Sequence, residues 1–275
     1  MGLKIKKSIL YIALIALAIL CLLPFVMMII NSTRSGNEIM TSFSLFPGES
    51  LSDNWAVVQR NLNIPRGMVN SLIISIASTI LSAYFSALTA YGFAFYKFKG
   101  RNIIFTILLV FIMIPSQLGL IGFYDLCVKL GLTDSYVPLI VPAMASPAVV
   151  FFLRQYIISV MPKSVLEAPR IDGAGELKIF HSIVLPIMAP GIATMSIGTF
   201  IGSWNSYLLP LIILNTPEKF TLPVMVASLN STKDIASNIG AVYVTVAVSV
   251  IPIMVVFMFC SKYIISSISA GSVKE

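Results

Sequence analysis

The sequence predicts an all-α, polytopic membrane protein with six transmembrane helices, and composition and hydropathy both support this. Of the 275 residues, 57% are hydrophobic and only 11% are charged, whereas about a quarter of the residues in a soluble domain are charged. Six stretches contain the roughly 20 mainly apolar residues that a helix needs to cross the hydrocarbon core. None alternates with a period of two over its length, as barrel strands do. The composition excludes a soluble domain, a disordered chain and a disulfide-framed secreted module.

The six predicted spans follow one another within a single domain, residues 1–275. They are Ser8–Ile30, Met68–Phe95, Asn102–Ile121, Ser135–Leu153, Ile183–Leu214 and Ile239–Ser261. The first follows three lysines, as a signal peptide would. Its 23-residue apolar run is longer than a signal-peptide core, however, and no small-residue cleavage site follows it. We therefore interpret it as an uncleaved span.

The charges between the spans predict the orientation. With the N-terminus in the cytoplasm, the inner side holds 12 basic and 4 acidic residues, and the outer side holds 6 basic and 7 acidic residues. Lys and Arg concentrate on cytoplasmic loops, so we expect both termini to be cytoplasmic. The net charge of +7 is then a property of the topology, and no nucleic-acid partner is needed to explain it.

The predicted spans lack the groups that a self-powered pump or a catalyst would need. No ionisable residue lies in their central regions, although proton-coupled carriers bury such groups as relays. The chain has no phosphate-binding loop of the G-x-x-x-x-G-K-[ST] type and no metal-binding motif. Its one histidine, His181, falls on a predicted surface loop, and its three cysteines (Cys21, Cys127 and Cys260) fit small packing residues. We expect no catalytic residue, no metal site and no bound cofactor in this chain.

The longest predicted cytoplasmic connection, Arg154–Ser182, separates the fourth and fifth spans. Ser164 and Glu167 have the spacing of a capping box, which predicts a short helix starting near Val165. Glycines then end this helix, and Glu176–Ile183 is predicted to form a second one. Such a surface helix either docks on a partner or lies on the lipid as an interfacial helix, and spacing alone leaves both open.

The run EAPRIDGAGELKIFHSIVLPIMAP resembles the Glu-Ala-Ala loop of permease subunits of binding-protein-dependent ABC importers. The matching positions are Glu167, Ala168, Asp172, Gly173, Ala174, Phe180, Leu185, Pro186 and Pro190. Further pieces resemble the carbohydrate-uptake branch, specifically the smaller, six-span permease of maltose-type importers. They are Asn70-Ser71-Leu72, the run AYGFAFYKFKGR, the run SWNSYLLPL and the tail SAGSVKE. The resemblance covers essentially the whole chain.

The resemblance implies the fold of an ABC type I importer permease in a bacterial cell membrane, and an assembly of several subunits. This chain would pair with a second, related permease and form half of the translocation path for a sugar. Two cytoplasmic ATPase subunits would bind ATP and magnesium, and an extracytoplasmic binding protein would deliver the substrate. Glu167, Ala168, Asp172, Gly173 and Ala174 would lie at the ATPase-docking surface.

One residue departs from the family pattern, because Pro169 stands where the second alanine is usual. If Ser164 is the N-cap, Pro169 falls at the fifth helical position and removes a backbone donor there. Alternatively, the helix begins later and Pro169 lies in its first turn, where proline is tolerated. The sequence leaves both possibilities open.

The fifth span carries a candidate for substrate contact, since sugar sites combine aromatic faces with amide or hydroxyl groups. Trp204, Asn205 and Tyr207, with Ser206 between them, supply both. Trp and Tyr also favour the membrane interface, so packing is the alternative interpretation. On the same span, Gly198-x-x-x-Gly202 permits close helix approach, within this chain or against the partner permease. The outer loops Asn31–Gly67 and Asn215–Asn238 are either surfaces for the binding protein or plain connectors.

Two rival functions remain at this stage. A sodium-driven secondary carrier would work without an ATPase, since backbone carbonyls can coordinate sodium without ionisable side chains. A structural membrane subunit would have no transport path at all.

Overall fold

The computed structural model describes residues 2–230 and 235–272, which form helices and connecting turns with no strand among them. The α-helices are α1 (Gly2–Ser32), α2 (Gly36–Thr41), α3 (Leu51–Asn61), α4 (Ile64–Phe95), α5 (Arg101–Met113), α6 (Leu120–Lys129), α7 (Val137–Ile140), α8 (Pro147–Val160), α9 (Glu167–Ile171), α10 (Glu176–Ile179), α11 (Leu185–Trp204), α12 (Leu208–Ile213), α13 (Leu222–Asn230) and α14 (Ile235–Ser272). Short 3₁₀ turns occupy Ser116–Gly119, Val141–Met144, Lys163–Leu166 and Pro217–Lys219, and one π-helical turn spans Phe180–Val184. The predicted all-α class is confirmed.

Within the described residues, five helical segments are long and apolar enough to cross a membrane. They are Lys6–Ser32, Ile64–Phe95, Val137–Val160, Glu176–Trp204 and Ile239–Phe259. A sixth crossing forms only if the bent pair Arg101–Met113 and Ser116–Lys129 counts as one span. The chain is therefore a multi-pass membrane protein with five or six crossings, and the cytoplasmic placement of its termini stays a prediction.

The third predicted span is wrong as a continuous helix. Asn102–Ile121 was expected to run straight, but α5 ends at Met113 and the chain bends by 93° before the helix resumes. The cause is Pro115, which has no backbone N–H and disfavours helical torsions at the residue before it. Ile114 is accordingly extended, with φ −80° and ψ 121°.

The fourth and fifth predicted spans are displaced along the chain. The fourth continues to Val160, so that Arg154 lies inside α8 and the connection begins later than predicted. The fifth begins at Glu176 and stops at Trp204, since three residues separate α11 from α12. The expected separate helix Glu176–Ile183 is thus the first part of the fifth span. In both cases buried apolar residues extend the helix beyond its most hydrophobic stretch.

The chain divides into two compact units, residues 1–65 with 224–251 and residues 66–223 with 252–275. In the first unit, Arg34 is buried and its Nη2 donates to the Glu38 and Ser42 carbonyl oxygens, 2.9 Å away in each case. Asn54 donates from Nδ2 to the Ser32 and Arg34 carbonyl oxygens, also at 2.9 Å. A Cβ on Gly240 would lie 2.5 Å from the Asn54 amide, so this position requires glycine.

The core of the second unit lies where α4, α8 and α11 meet the loop before α10. Its fully buried members come from each of these elements: Ala87 and Ala90, Leu153 and Ile157, Leu166, Ile179, Phe180, Val184 and Met188. Leu166 belongs to the connection itself, so the connection is packed onto the spans. Any force on this part of the connection is therefore transmitted to α8 and α11.

At another place in the second unit, Asp134 joins the turn before α7 to the segment after α12. The residue is held at φ +56°, in the left-handed region. Its Oδ1 accepts from the Asn215 and Thr216 backbone N–H groups at 3.0 Å. Its Oδ2 accepts from Thr216 Oγ1 at 2.6 Å and from Lys219 Nζ at 2.8 Å. These donors, Lys219 foremost, hold the pKa of the Asp134 carboxyl far below its usual range.

Replacing Asp134 by asparagine is expected to lower the thermal stability of the protein at neutral pH. Asparagine tolerates left-handed torsions, so the change removes the charge and leaves the backbone. Because the folded pKa is depressed, the carboxylate stabilises the fold above its ordinary pKa, and this contribution is lost as the pH falls through the folded value. The difference in melting temperature between wild type and variant should therefore decrease as the pH is lowered.

Asp125→Asn is the control for this experiment. It removes a carboxylate that makes only an exposed pair with Lys129 four residues away, which contributes little. Equal melting of wild type and Asp134→Asn at neutral pH would contradict the assigned role of Asp134.

Candidate functional site

The connection between the fourth and fifth spans folds as a 3₁₀ turn followed by α9. The 3₁₀ turn covers Lys163–Leu166, and α9 begins at Glu167. The prediction of Ser164 as a helix N-cap is wrong, because its side chain makes no capping hydrogen bond and it lies inside the 3₁₀ turn. Pro169 is the third residue of α9, where a missing N–H costs no helical bond. The second alternative for Pro169 is thus confirmed.

A tight turn after α9 is made possible by Gly173. Its φ of +75° lies in the region that a residue with a Cβ enters only at a cost. The Gly173 N–H donates to the Arg170 carbonyl oxygen at 3.1 Å, and the Ala174 N–H donates to that of Pro169 at 2.9 Å. These two bonds satisfy the end of α9 and direct the chain into α10.

An ion pair closes the loop between α9 and α10. Arg170 Nε donates to Glu176 Oε1 at 2.8 Å, and Tyr91 Oη of α4 donates to Glu176 Oε2, also at 2.8 Å. The Arg170 guanidinium carbon lies 5.5 Å from the centre of the Tyr96 ring. Hydrogen bonding to Glu176 raises the pKa of Arg170 further above its ordinary value, so the pair stays ionised over the physiological pH range. The sequence interpretation missed this network, whose only signal was two opposite charges around a glycine turn.

Most of the residues predicted for ATPase docking lie on the exposed surface of this loop. Glu167, Ala168, Asp172 and Gly173 are exposed, whereas Ala174 is half-buried and packs against the core of the second unit. Two apolar side chains stand beside them: Ile171 is 86% exposed and Leu177 is 64% exposed. We call the exposed set Glu167, Ala168, Ile171, Asp172, Gly173 and Leu177 the loop face. The loop face combines exposed apolar side chains with acidic groups. The segment that carries it is anchored in the core of the second unit by buried residues such as Leu166.

His181 lies near the loop face and takes part in structural contacts. Its Nδ1 lies 2.7 Å from the Leu177 carbonyl oxygen, and its Nε2 lies 3.2 Å from Tyr84 Oη. Within the described residues, no group of three or more His, Cys, Asp and Glu side chains is arranged to hold a metal ion.

The predicted substrate cluster on the fifth span is divided by the structure. Trp204 is only 1% exposed and stacks on Phe200 with ring centres 5.9 Å apart. Asn205 and Tyr207, in the break between α11 and α12, line a cavity of about 550 Å³ together with Gln117. The cavity thus lies between two helix breaks, the one after Trp204 and the one at Pro115. Contact of this cluster with sugar stays a prediction.

The sequence is similar to that of known membrane transport components. Residues 80–269 match the family model described as "Binding-protein-dependent transport system inner membrane component". The chain is 34% identical over 262 residues to "Arabinooligosaccharides transport system permease protein AraQ" of Bacillus subtilis, covering 94% of this chain and 92% of the relative. It is 30% identical to "Diacetylchitobiose uptake system permease protein NgcG" of Streptomyces coelicolor, covering 94% and 86%.

Solved structures agree with the fold. A crystal structure of a bacterial ABC transporter involved in the import of the acidic polysaccharide alginate matches with a TM-score of 0.80 and 22% identity, over 95% of this chain and 97% of that one. A second, of the alginate transporter in complex with an alginate pentasaccharide-bound periplasmic protein, matches with a TM-score of 0.61 and 16% identity, over 94% of each chain. At these identities the likeness shows the fold, which is that of an ABC importer membrane chain.

Proposed function

The chain belongs to the family of binding-protein-dependent transport system inner membrane components, and we propose how this permease subunit of a carbohydrate ABC importer is driven. A cytoplasmic ATPase docks on the loop face and moves the fifth span through it. One observation carries the proposal. The loop exposes Ile171 and Leu177, while Leu166 on the same connection is fully buried in the core.

The transmission of force follows from how the loop is attached. Glu176 is the first residue of a continuous helical segment that runs to Trp204, and Arg170 of α9 is ion-paired to it. A displacement of α9 therefore acts directly on the cytoplasmic end of that segment. An ATPase dimer that binds one of the two access states better than the other shifts their equilibrium by that difference.

The energy source in this proposal lies outside the chain. We propose that two ATPase subunits bind ATP and magnesium, because this sequence has no phosphate-binding loop. We propose that two permease subunits and two ATPase subunits form an assembly in a bacterial inner membrane, with a binding protein on the outer side. Asn31–Gly67 and Asn215–Asn238 are the proposed contacts for that protein, and residues 231–234 of the second loop lie outside the described residues.

A second permease subunit is proposed to pack against the fifth span. A Cβ on Gly198 or Gly202 would meet no atom within 4 Å among the described residues. Among the described residues, no helix therefore packs against the Gly198-x-x-x-Gly202 pattern, although Gly202 also borders the cavity lined by Asn205 and Tyr207. This favours the partner permease as the neighbour of this surface.

Sugar uptake into proteoliposomes tests the function as a whole. The complete assembly with its binding protein is expected to accumulate sugar only when ATP is enclosed with the ATPase subunits. This chain alone, with a sodium gradient and no ATP, is expected to transport nothing. Uptake under the second condition would support a secondary carrier and contradict the proposed coupling.

We propose that Asn205 and Tyr207 contact the sugar as it passes. Asn205→Ala is expected to lower the uptake rate about tenfold, because one lost hydrogen bond to a substrate hydroxyl in the transition state is worth about 1–1.5 kcal/mol. The measurement is initial uptake at saturating binding protein. Asn102→Ala, the same substitution at an exposed position of α5 that lies outside the proposed contacts, is the control. Unchanged rate and affinity in Asn205→Ala would remove this residue from the path.

A further inference from the structure

A second cavity, of about 270 Å³, lies in the second unit and is lined mainly by hydroxyl groups. Eight of its 14 lining residues are serine or threonine, and none is charged or aromatic. Ser71, Ser78 and Ser82 come from one face of α4, at helical spacings of seven and four residues. The cavity differs in this composition from the one lined by Asn205 and Tyr207.

Two of the buried lining hydroxyls have no hydrogen-bond partner among the described residues. Ser71 Oγ accepts from the Leu222 N–H at 2.8 Å, and Ser78 Oγ donates to the Leu139 carbonyl oxygen at 3.2 Å. Ser82 Oγ and Thr221 Oγ1, by contrast, make no hydrogen bond, although these residues are only 1% and 4% exposed. A buried hydroxyl without a partner destabilises the fold. Because both groups also border the cavity, a ligand there would supply the partners that they lack.

The lining restricts the chemistry of that ligand. An ion would be buried without a countercharge, which is costly. A neutral ligand that both donates and accepts hydrogen bonds satisfies free hydroxyls at no such cost. The volume accommodates several water molecules, each of which occupies about 30 Å³ in the liquid, or one ring of a sugar.

We propose that this cavity is a binding site for neutral hydroxyl groups, those of water or of the transported carbohydrate, with Ser82 and Thr221 as its ligands. The existence of this site does not depend on the proposed transport function. The carbohydrate as source rests in addition on the proposed function. An internal polar site between α4 and the end of α11 would keep this part of the chain hydrated while the spans move.

The chain supplies its own matched controls. Ser75 and Ser86 lie on the same helix, are equally buried and also have hydroxyls without a partner, but neither lines the cavity. If the cavity is wet, Ser82 differs from these two residues in water access alone.

The test measures thiol reactivity in a variant whose three native cysteines are replaced by alanine. Ser82→Cys, Ser75→Cys and Ser86→Cys are each treated with 2-aminoethyl methanethiosulfonate in the purified complex without ATP. We expect Ser82→Cys to react about tenfold faster or more, because a thiol in an apolar environment has a raised pKa and little reactive thiolate. Thr221→Cys is a second variant at the site and is expected to behave as Ser82→Cys does.

Two further arms identify the source. The complex is turned over with ATP, binding protein and either lactose or arabino-oligosaccharides, and the labelling is repeated. Slower labelling of Ser82→Cys under turnover assigns the hydroxyls to the sugar, and unchanged labelling assigns them to water. Labelling of Ser82→Cys and Thr221→Cys as slow as that of Ser75→Cys overturns the proposal, provided that the exposed Ser52→Cys reacts. Because labelling needs no transport, this failure is distinct from a failure of the ATPase coupling.

Discussion

Charge reversal at Glu167 is expected to abolish sugar-stimulated ATP hydrolysis in the assembled transporter while the chain still inserts and folds. Glu167 is the first residue of α9 and is exposed, and its side chain makes no hydrogen bond or ion pair within the described part of the chain. A substitution at such an exposed position changes the free energy of unfolding by no more than about 0.5 kcal/mol. On the loop face, however, Glu167→Lys replaces a carboxylate that we propose faces a basic group of the docked ATPase, and like charges brought together at an interface oppose binding strongly.

The measurement is ATP hydrolysis by the purified complex with and without sugar-loaded binding protein. Lys99→Glu, a reversal of the same size at an exposed position between α4 and α5, serves as the control and should retain stimulation. Full stimulation in Glu167→Lys would remove this residue from the docking surface.

A pair of substitutions at Gly173 separates charge from backbone strain. Both Gly173→Asp and Gly173→Asn must adopt the left-handed torsions of this turn, which short polar side chains tolerate best. Only the aspartate adds a charge to the loop face, and this carboxylate would be buried without a partner under the docked ATPase, which is costly. We therefore expect Gly173→Asp to lose stimulation and Gly173→Asn to retain much of it. Equal loss in both variants would assign the effect to the turn.

Gly191→Val is expected to have the largest effect on stability. A Cβ at Gly191 would lie 2.6–2.9 Å from the ring of Tyr156, inside van der Waals contact. It would push α11 away from α8 in the core that also holds the loop. Overpacking of this kind costs about 1–3 kcal/mol, so we expect a clearly lower melting temperature and less assembled complex.

Two further variants make this prediction specific. Gly92→Val, inside the long helix α4, meets no atom within 4 Å among the described residues and should melt as the wild type does. Gly191→Val combined with Tyr156→Ala should recover most of the loss, because the added side chain then occupies the space of the ring. Melting of Gly191→Val at the wild-type temperature would show that the two helices tolerate a wider separation.

The sequence predicted the membrane class and the position of the loop because both depend on local, repeated signals. Long apolar runs identify spans with little regard to tertiary contacts, and the loop carries many fixed positions. Span boundaries were less predictable. Arg154 looked like a loop residue, but its guanidinium lies 4.3 Å from the centre of the Phe105 ring, and such a contact is invisible in hydropathy.

The division of Trp204 from Asn205 and Tyr207 shows a second limit. Neighbouring residues in a continuous helix already point in different directions, and here the helix also ends at Trp204. The sequence grouped these residues by chemistry, whereas the break decides which of them reaches the cavity. Likewise, composition shows many serines, but only packing shows that Ser82 and Thr221 lack partners.

The π-helical turn at Phe180–Val184 sets the rotational alignment between the two ends of the fifth span. A π turn accommodates an extra residue within a continuous helical segment. Deleting one residue here, such as Ser182, would rotate everything before it by about 100° relative to α11, since each residue of an α-helix turns by that angle. Glu176 would then face away from Tyr91. The number of residues in this turn, as much as any contact, therefore determines the direction in which a displacement of the loop moves α11.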